Sequence, residues 1–143
     1  TNVVAVKLLE KIGVENGFKF AEKLGITSLV SEGPNNDLNL SMALGGLTQG
    51  VSPLEMAGAY GAFANKGIYT KPYVITQITD SKGKVLYENE PVRTSVMSEE
   101  TAYMISSSLV SVVSESGGTG SVAAIKGRQV AGKTGTSISA QSG

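Results

Sequence analysis

The sequence predicts an α/β domain with several helices, one β-hairpin and a final strand. Three observations predict it. Apolar residues recur at helical spacing in several stretches that carry their own start or stop residues. Residues 73–79 (YVITQIT) alternate, meet Asp80-Ser81-Lys82-Gly83, and continue as Val85-Leu86-Tyr87, the pattern of a hairpin. A short run from Gln129 to Ala131 leads through Gly132 into Lys133-Thr134-Gly135-Thr136, and its apolar pair Val130-Ala131 reads as a strand.

The elements follow in order. Residues 3–12 (VVAVKLLEKI) place Val3, Val6 and either Leu9 or Ile12 on one helical face, and Gly13 ends the run. Residues 15–24 (ENGFKFAEKL) predict a second helix with Phe18, Ala21 and Leu24 inward and Gly25 as its stop. The stretch 31–39 (SEGPNNDLN) is a loop by composition. The glycine-dense 41–50 (SMALGGLTQG) argues for close backbone approach rather than a stable helix.

Ser52, Pro53 and Glu55 form the clearest start signal in the chain. Serine caps, proline occupies the first helical position, and glutamate three residues after the cap closes a capping box. That helix is expected to run to about Asn65, with Leu54, Ala57, Tyr60, Gly61 and Ala64 at core spacing, and Gly67 closing it. Ser98 caps a last long helix, with Glu99 and Glu100 at its positive end and Ala102, Ile105, Leu109 and Val112 as its buried stripe. Gly117-Gly118-Thr119-Gly120 stops it.

Composition narrows the chemistry. With 143 residues, 41% hydrophobic and 17% charged, the chain has the makings of an ordinary globular domain. Lys+Arg and Asp+Glu balance at 12 each, so net charge indicates no nucleic-acid partner. Beyond Glu115 there is no acidic residue, whereas Lys126, Arg128 and Lys133 all lie there; a ligand beside that end carries a carboxylate or phosphate. The absence of Cys excludes thiol catalysis, and the absence of His excludes Ser-His-Asp triads and most zinc sites. No cofactor or metal is expected, and any serine chemistry must use Lys, Tyr or a carboxylate as base. No apolar run is long enough to span a bilayer.

Lys133-Thr134-Gly135-Thr136 is the motif that carries chemistry. A lysine facing a cleft supplies positive charge, the threonines donate hydroxyl hydrogen bonds to a carboxylate, and the glycine leaves room for a substrate beside a strand edge. Two other patterns compete. Gly127-Arg128-Gln129-Val130-Ala131-Gly132-Lys133-Thr134 spells a P-loop, but a P-loop needs a buried strand before it and a helix starting at the lysine, and Gly135-Thr136-Ser137 is a poor helix start. Ser81-Lys82-Gly83-Lys84 spells S-x-x-K, but it falls in the hairpin turn, where serine and lysine do not face each other as on a helix.

K-T-G-T resembles one of the active-site motifs of serine penicillin-recognising enzymes. Thr1-Asn2-Val3-Val4 resembles the end of a second, S-x-N. The stretches NVVAVKLLEKIG, ALGGLTQGVSPLEMAGAYGAFANKGIYTKPYVITQITDSKGKVL and VAGKTGTS together resemble the transpeptidase domain of penicillin-binding proteins, most closely the bifunctional class A type. That resemblance implies a partial fold of the serine β-lactamase kind, with the K-T-G strand in an antiparallel sheet and the active site between an α/β sheet domain and a helical subdomain. It also implies a serine that attacks the D-Ala-D-Ala end of peptidoglycan stem peptides and is acylated by β-lactams.

Carried over by motif, Asn2 would position the substrate amide and the general-base lysine. Lys133 would set the electrostatics of the cleft. Thr134, Gly135, Thr136 and Ser137 would contact substrate, with the Thr134 and Thr136 hydroxyls on its carboxylate and the Thr136 N–H forming half the oxyanion hole. The partners implied are stem peptides, β-lactams and the remainder of the domain. The location implied is the extracytoplasmic face of the bacterial membrane. The expectation is therefore that residues 1–143 form one partial transpeptidase domain, lacking the S-x-x-K region and the strands after K-T-G, and inactive alone. A non-catalytic binding or structural module that kept the fold is the alternative.

Overall fold

The computed structural model describes residues 2–135. Its elements, in chain order, are α1 (Asn2–Ile12), α2 (Val14–Lys23), a 3₁₀ turn (Leu40–Leu44), α3 (Pro53–Ala64), β1 (Ile68–Thr70), β2 (Gln77–Thr79), β3 (Val85–Glu88), β4 (Arg93–Ser95), α4 (Glu99–Ser114) and a second 3₁₀ turn (Ser121–Ala123). The strands form two antiparallel pairs, β1 with β4 and β2 with β3.

The core lies between the end of α2 and one face of α3. Leu24, Ile26, Ala59 and Ala62 are buried there, with Ala21, Leu29, Val51, Phe63, Tyr69, Val96 and Met97 packed around them. The chain turns from α2 into this core through a C-terminal motif. Ile26 N–H donates to Ala21 O at 3.2 Å and Gly25 N–H to Glu22 O at 2.9 Å. This pair of hydrogen bonds needs a left-handed residue just past the helix, and Gly25 provides it at φ 87°. A Cβ on Gly25 would also run into the Tyr69 ring.

Helix α3 begins as its sequence dictates. The Ser52 hydroxyl accepts from Glu55 N–H, the Glu55 carboxylate accepts from Ser52 N–H, and Pro53 fills the first position. Its buried face differs from expectation. Ala59 and Ala62 are buried and Phe63 is half-buried, while Leu54, Ala57, Tyr60, Gly61 and Ala64 are exposed. PLEMAGAYGAFA is apolar on nearly every side, so hydropathy defines no stripe; the neighbours β1 and α4 choose the face with the small residues.

In α2 Phe18, Ala21 and Leu24 turn inward as expected, whereas α1 and α4 depart from expectation in part. In α1 only Leu9 is buried, Val6 is half-buried, and Val3 and Ile12 are exposed. In α4 Ala102 and Val113 are buried and Leu109 and Val112 half-buried, but Ser106 turns inward and Ile105 stands exposed. Ser106 turns inward because its short side chain fits against α3, where its hydroxyl donates to Phe63 O at 3.4 Å.

The hairpin forms with the Asp80 turn at its tip, but only the end of 73–79 is strand. Asp80 Oδ1 accepts from the N–H groups of Lys82 and Lys84, so the S-x-x-K at 81–84 is a turn. The strand expected to carry Lys133 is not formed among the described residues. A strand exists through ladder bonds to a neighbour. The backbone bond described for 129–135 runs instead from Gly132 N–H to Leu109 O of α4, at 3.1 Å. No helix begins at Lys133 within the described residues either, and Gly127 follows a 3₁₀ turn rather than a strand, so the P-loop geometry is absent there.

Candidate functional site

Gly132, Lys133, Thr134 and Gly135 run along the first two turns of α3, and together with Pro53, Met56, Ala57 and Tyr60 they line an open groove of about 600 Å³. One wall is helical and apolar. The other carries an ammonium, a hydroxyl and a glycine that leaves room for a ligand.

The apolar wall is held from behind by Glu55. Its Oε1 accepts from Thr27 N–H at 2.7 Å, the Thr27 hydroxyl at 2.9 Å and Ser28 N–H at 2.9 Å. Its Oε2 accepts from Ser52 N–H at 2.8 Å and the Ser52 hydroxyl at 2.7 Å. One carboxylate thus joins the α3 start to the chain leaving α2. The Ser52 N–H and hydroxyl first, and then Thr27, hold its carboxyl far below the usual range.

The motif wall is anchored to α4. Gly132 N–H donates to Leu109 O. The Thr134 hydroxyl lies 2.9 Å from the Thr119 hydroxyl, where either can donate. Thr119 sits in the glycine run after α4, and that run is pinned by Gly118 N–H to Glu115 O at 2.9 Å and Gly120 N–H to Val112 O at 2.9 Å. The Lys133 ammonium is exposed and folds back on its neighbour, donating to Thr134 O at 2.9 Å and reaching Thr134 Oγ1 at 3.4 Å.

Of the residues singled out from the sequence, Lys133, Thr134 and Gly135 come together in this groove. Asn2 stands exposed at the start of α1, which packs on α2 and the Leu40–Leu44 turn, and none of the described hydrogen bonds ties it to Lys133. Thr136 and Ser137 lie outside the described residues. Sequence reasoning missed Thr119 and the α3 wall. Thr119 carried a signal, a lone hydroxyl inside the Gly117–Gly120 turn, but its pairing with a residue fifteen positions later is visible only in space. Tyr60 was read as core, and its partial exposure beside the motif is a consequence of the rotated α3.

A second carboxylate, Asp37, is buried in the loop before the first 3₁₀ turn. It accepts from Val30 N–H at 2.8 Å, Thr48 N–H at 2.7 Å and the Thr48 hydroxyl at 2.8 Å. Burial pushes its carboxyl up, and these three donors outweigh burial and leave it below its ordinary value. It lines no part of the groove.

Known proteins resemble this chain in sequence and in fold. The profile of the penicillin binding protein transpeptidase domain matches residues 1–143. Penicillin-binding protein 1A of Clostridium botulinum is 43% identical over 136 residues, covering 95% of this chain and 16% of its own length. The crystal structure of the D,D-transpeptidase domain of a peptidoglycan glycosyltransferase from Eggerthella lenta superposes with a TM-score of 0.75 at 26% identity, over 96% of this chain and 40% of that one. Penicillin binding protein 3 of Mycobacterium tuberculosis, complexed with aztreonam, superposes with a TM-score of 0.72 at 26% identity, over 87% of this chain and 32% of that one. The chain therefore spans a minor part of the length of the proteins it matches.

Proposed function

The chain belongs to the penicillin-binding protein transpeptidase family, and from that premise we propose that it is part of a D,D-transpeptidase that cross-links peptidoglycan stem peptides and is acylated by β-lactams. Residues 1–143 are then one portion of a transpeptidase domain, and the serine nucleophile with its lysine belongs to the portion that precedes them. The enzyme works at the extracytoplasmic face of the membrane, where its polymer substrate lies.

The reaction follows from the chemistry of the parts. The serine oxygen attacks the carbonyl between the two terminal D-Ala residues. The amide C–N bond breaks, the last D-Ala leaves with a proton, and an acyl-enzyme remains. An amine of a neighbouring stem peptide then takes the acyl group and returns the serine. A β-lactam follows the first half, its strained amide opening on the serine.

The observation that carries this reading is the groove lined by Lys133, Thr134 and Gly135. Lys133 supplies a positive field toward the terminal carboxylate of the substrate, a group that β-lactams also carry. The hydroxyls of Thr134 and Thr136 hold that carboxylate by charge-assisted hydrogen bonds. Gly135 lets the substrate backbone lie close, Ser137 joins the contact set, and the Thr136 N–H faces the developing oxyanion. Asn2 orients the substrate amide and the general-base lysine.

The 143-residue chain by itself is inactive in this reading. Among the described residues no serine hydroxyl is hydrogen-bonded to a lysine, the arrangement that activates such a nucleophile. The test is labelling with a fluorescent penicillin, mapped by mass spectrometry. The whole protein is expected to take one label on a serine preceding residue 1, and the isolated chain none. A whole protein that takes no label refutes the function, and a label on any serine of the isolated chain refutes the assignment of the nucleophile.

A further inference from the structure

We propose that Thr119 is a positioning residue of the groove: it donates its hydroxyl hydrogen to Thr134 Oγ1 and so turns the Thr134 hydroxyl hydrogen outward, toward a ligand carboxylate. This rests on the functional reading above and adds a residue to it.

A threonine hydroxyl has one hydrogen to donate and two lone pairs to accept with. Thr134 Oγ1 lies 3.4 Å from the Lys133 ammonium, which can only donate. It lies 2.9 Å from Thr119 Oγ1, where direction is open. If Thr134 donated to Thr119, its single hydrogen would be spent and the oxygen would present only lone pairs to an anion, which is repulsive. If Thr119 donates, both lone pairs of Thr134 are occupied and its hydrogen is left for the ligand. An approaching carboxylate selects the second arrangement, and Thr119 makes it available without a partner being lost.

The backbone supports the pairing. The glycine run is fixed to α4 by the Gly118 and Gly120 bonds, and the motif segment is fixed to the same helix by Gly132 N–H on Leu109 O. A Cβ on Gly118 would strike Val112 O, so the run follows α4 closely. Both threonines are thus tethered to the C-terminal half of α4, although the residues are fifteen apart in sequence. Both side chains are exposed, so a substitution at Thr119 removes the hydroxyl without opening a core.

The test uses the whole protein and stopped-flow acylation by a fluorescent penicillin, resolving the dissociation constant of the first complex from the rate of bond formation. Thr119→Val should raise that dissociation constant roughly tenfold, the loss of one hydrogen bond's orientation toward a charged group, with the acylation step and melting temperature little changed. Thr119→Ser should restore binding. In a Thr134→Val background, Thr119→Val should have no further effect, because Thr119 acts through Thr134. An unchanged dissociation constant in Thr119→Val overturns the proposal, as does a full additional loss in the Thr134→Val background. Should Thr119→Val fold poorly, Thr119→Ala takes its place in the same cycle with the same outcomes. A wild-type protein that no penicillin labels overturns the functional reading itself; a labelled wild type with an indifferent Thr119 overturns only this inference.

Discussion

The two walls of the groove are built in opposite ways. The α3 wall is fixed by its own sequence: a capping box, a proline at the first turn, and five donors converging on Glu55. The motif wall is described by one backbone bond to α4, one hydroxyl pair and a lysine folded onto its neighbour. Helix α3 buries Ala59 and Ala62 against Leu24 and Ile26, whereas Val122 and Ile125, just before the motif, are exposed. The α3 wall is thus held by the buried cluster and the Glu55 anchor, and on the proposed function the motif wall is the side that meets the ligand. Substitutions should therefore divide into those that cost stability and those that cost activity.

The largest loss of stability is expected at the turn feeding the rigid side. Gly25→Ala forces a Cβ into a left-handed position and against Tyr69. Strain and overpacking together should cost about 2–4 kcal/mol, read from the urea midpoint. An unshifted midpoint would mean that the α2 turn does not hold the core.

Asp37→Ala should follow at roughly 1–3 kcal/mol, because it removes a buried carboxylate that accepts from the partly buried Val30 and Thr48 N–H groups. The same account fixes a pH dependence. The Glu55 and Asp37 carboxyls both ionise below their ordinary values of 4.5 and 3.8. The folded state therefore binds fewer protons than the unfolded one in that range. The stability they contribute is present above pH 4.5 and is lost as pH falls through 3.8 and below. Urea midpoints that stay flat on acidification would show that these anchors carry no weight.

Ser52→Ala should cost about 1 kcal/mol, the usual loss for an N-cap. Val122→Ser, at a fully exposed position, should move the midpoint by less than about 0.5 kcal/mol. A large effect there would contradict the division between the two regions.

The parts legible in the sequence were those encoded over a few residues. Ser52-Pro53-Glu55 announces α3, Gly25 announces the end of α2, and Asp80 to Gly83 announces the hairpin turn. What depends on distant neighbours was not legible. Strands β1 and β4 are three residues each and pair across the intervening hairpin, as Tyr69 opposite Thr94, so neither carries an alternation signal. The face of α3 is set by what packs on it, not by its own hydropathy. Asp37 looks like any loop aspartate until Val30 and Thr48 close on it. For the site, Lys133-Thr134-Gly135 was readable as a motif, and its company, Thr119 and the α3 wall, was not.

The most direct test of the account is whether Lys133 and Thr134 serve the ligand and not the fold. The measurement is the second-order rate constant for acylation of the whole protein by penicillin, taken beside the melting temperature, in Lys133→Ala and Thr134→Val. Thr134→Val removes a hydroxyl while keeping the branched shape, and Lys133→Ala removes the positive charge at the groove. A roughly ten- to hundredfold fall in the rate constant is expected in each, with the melting temperature nearly unchanged. Acylation at the wild-type rate in both variants would contradict it, and would make the motif a structural feature of the fold.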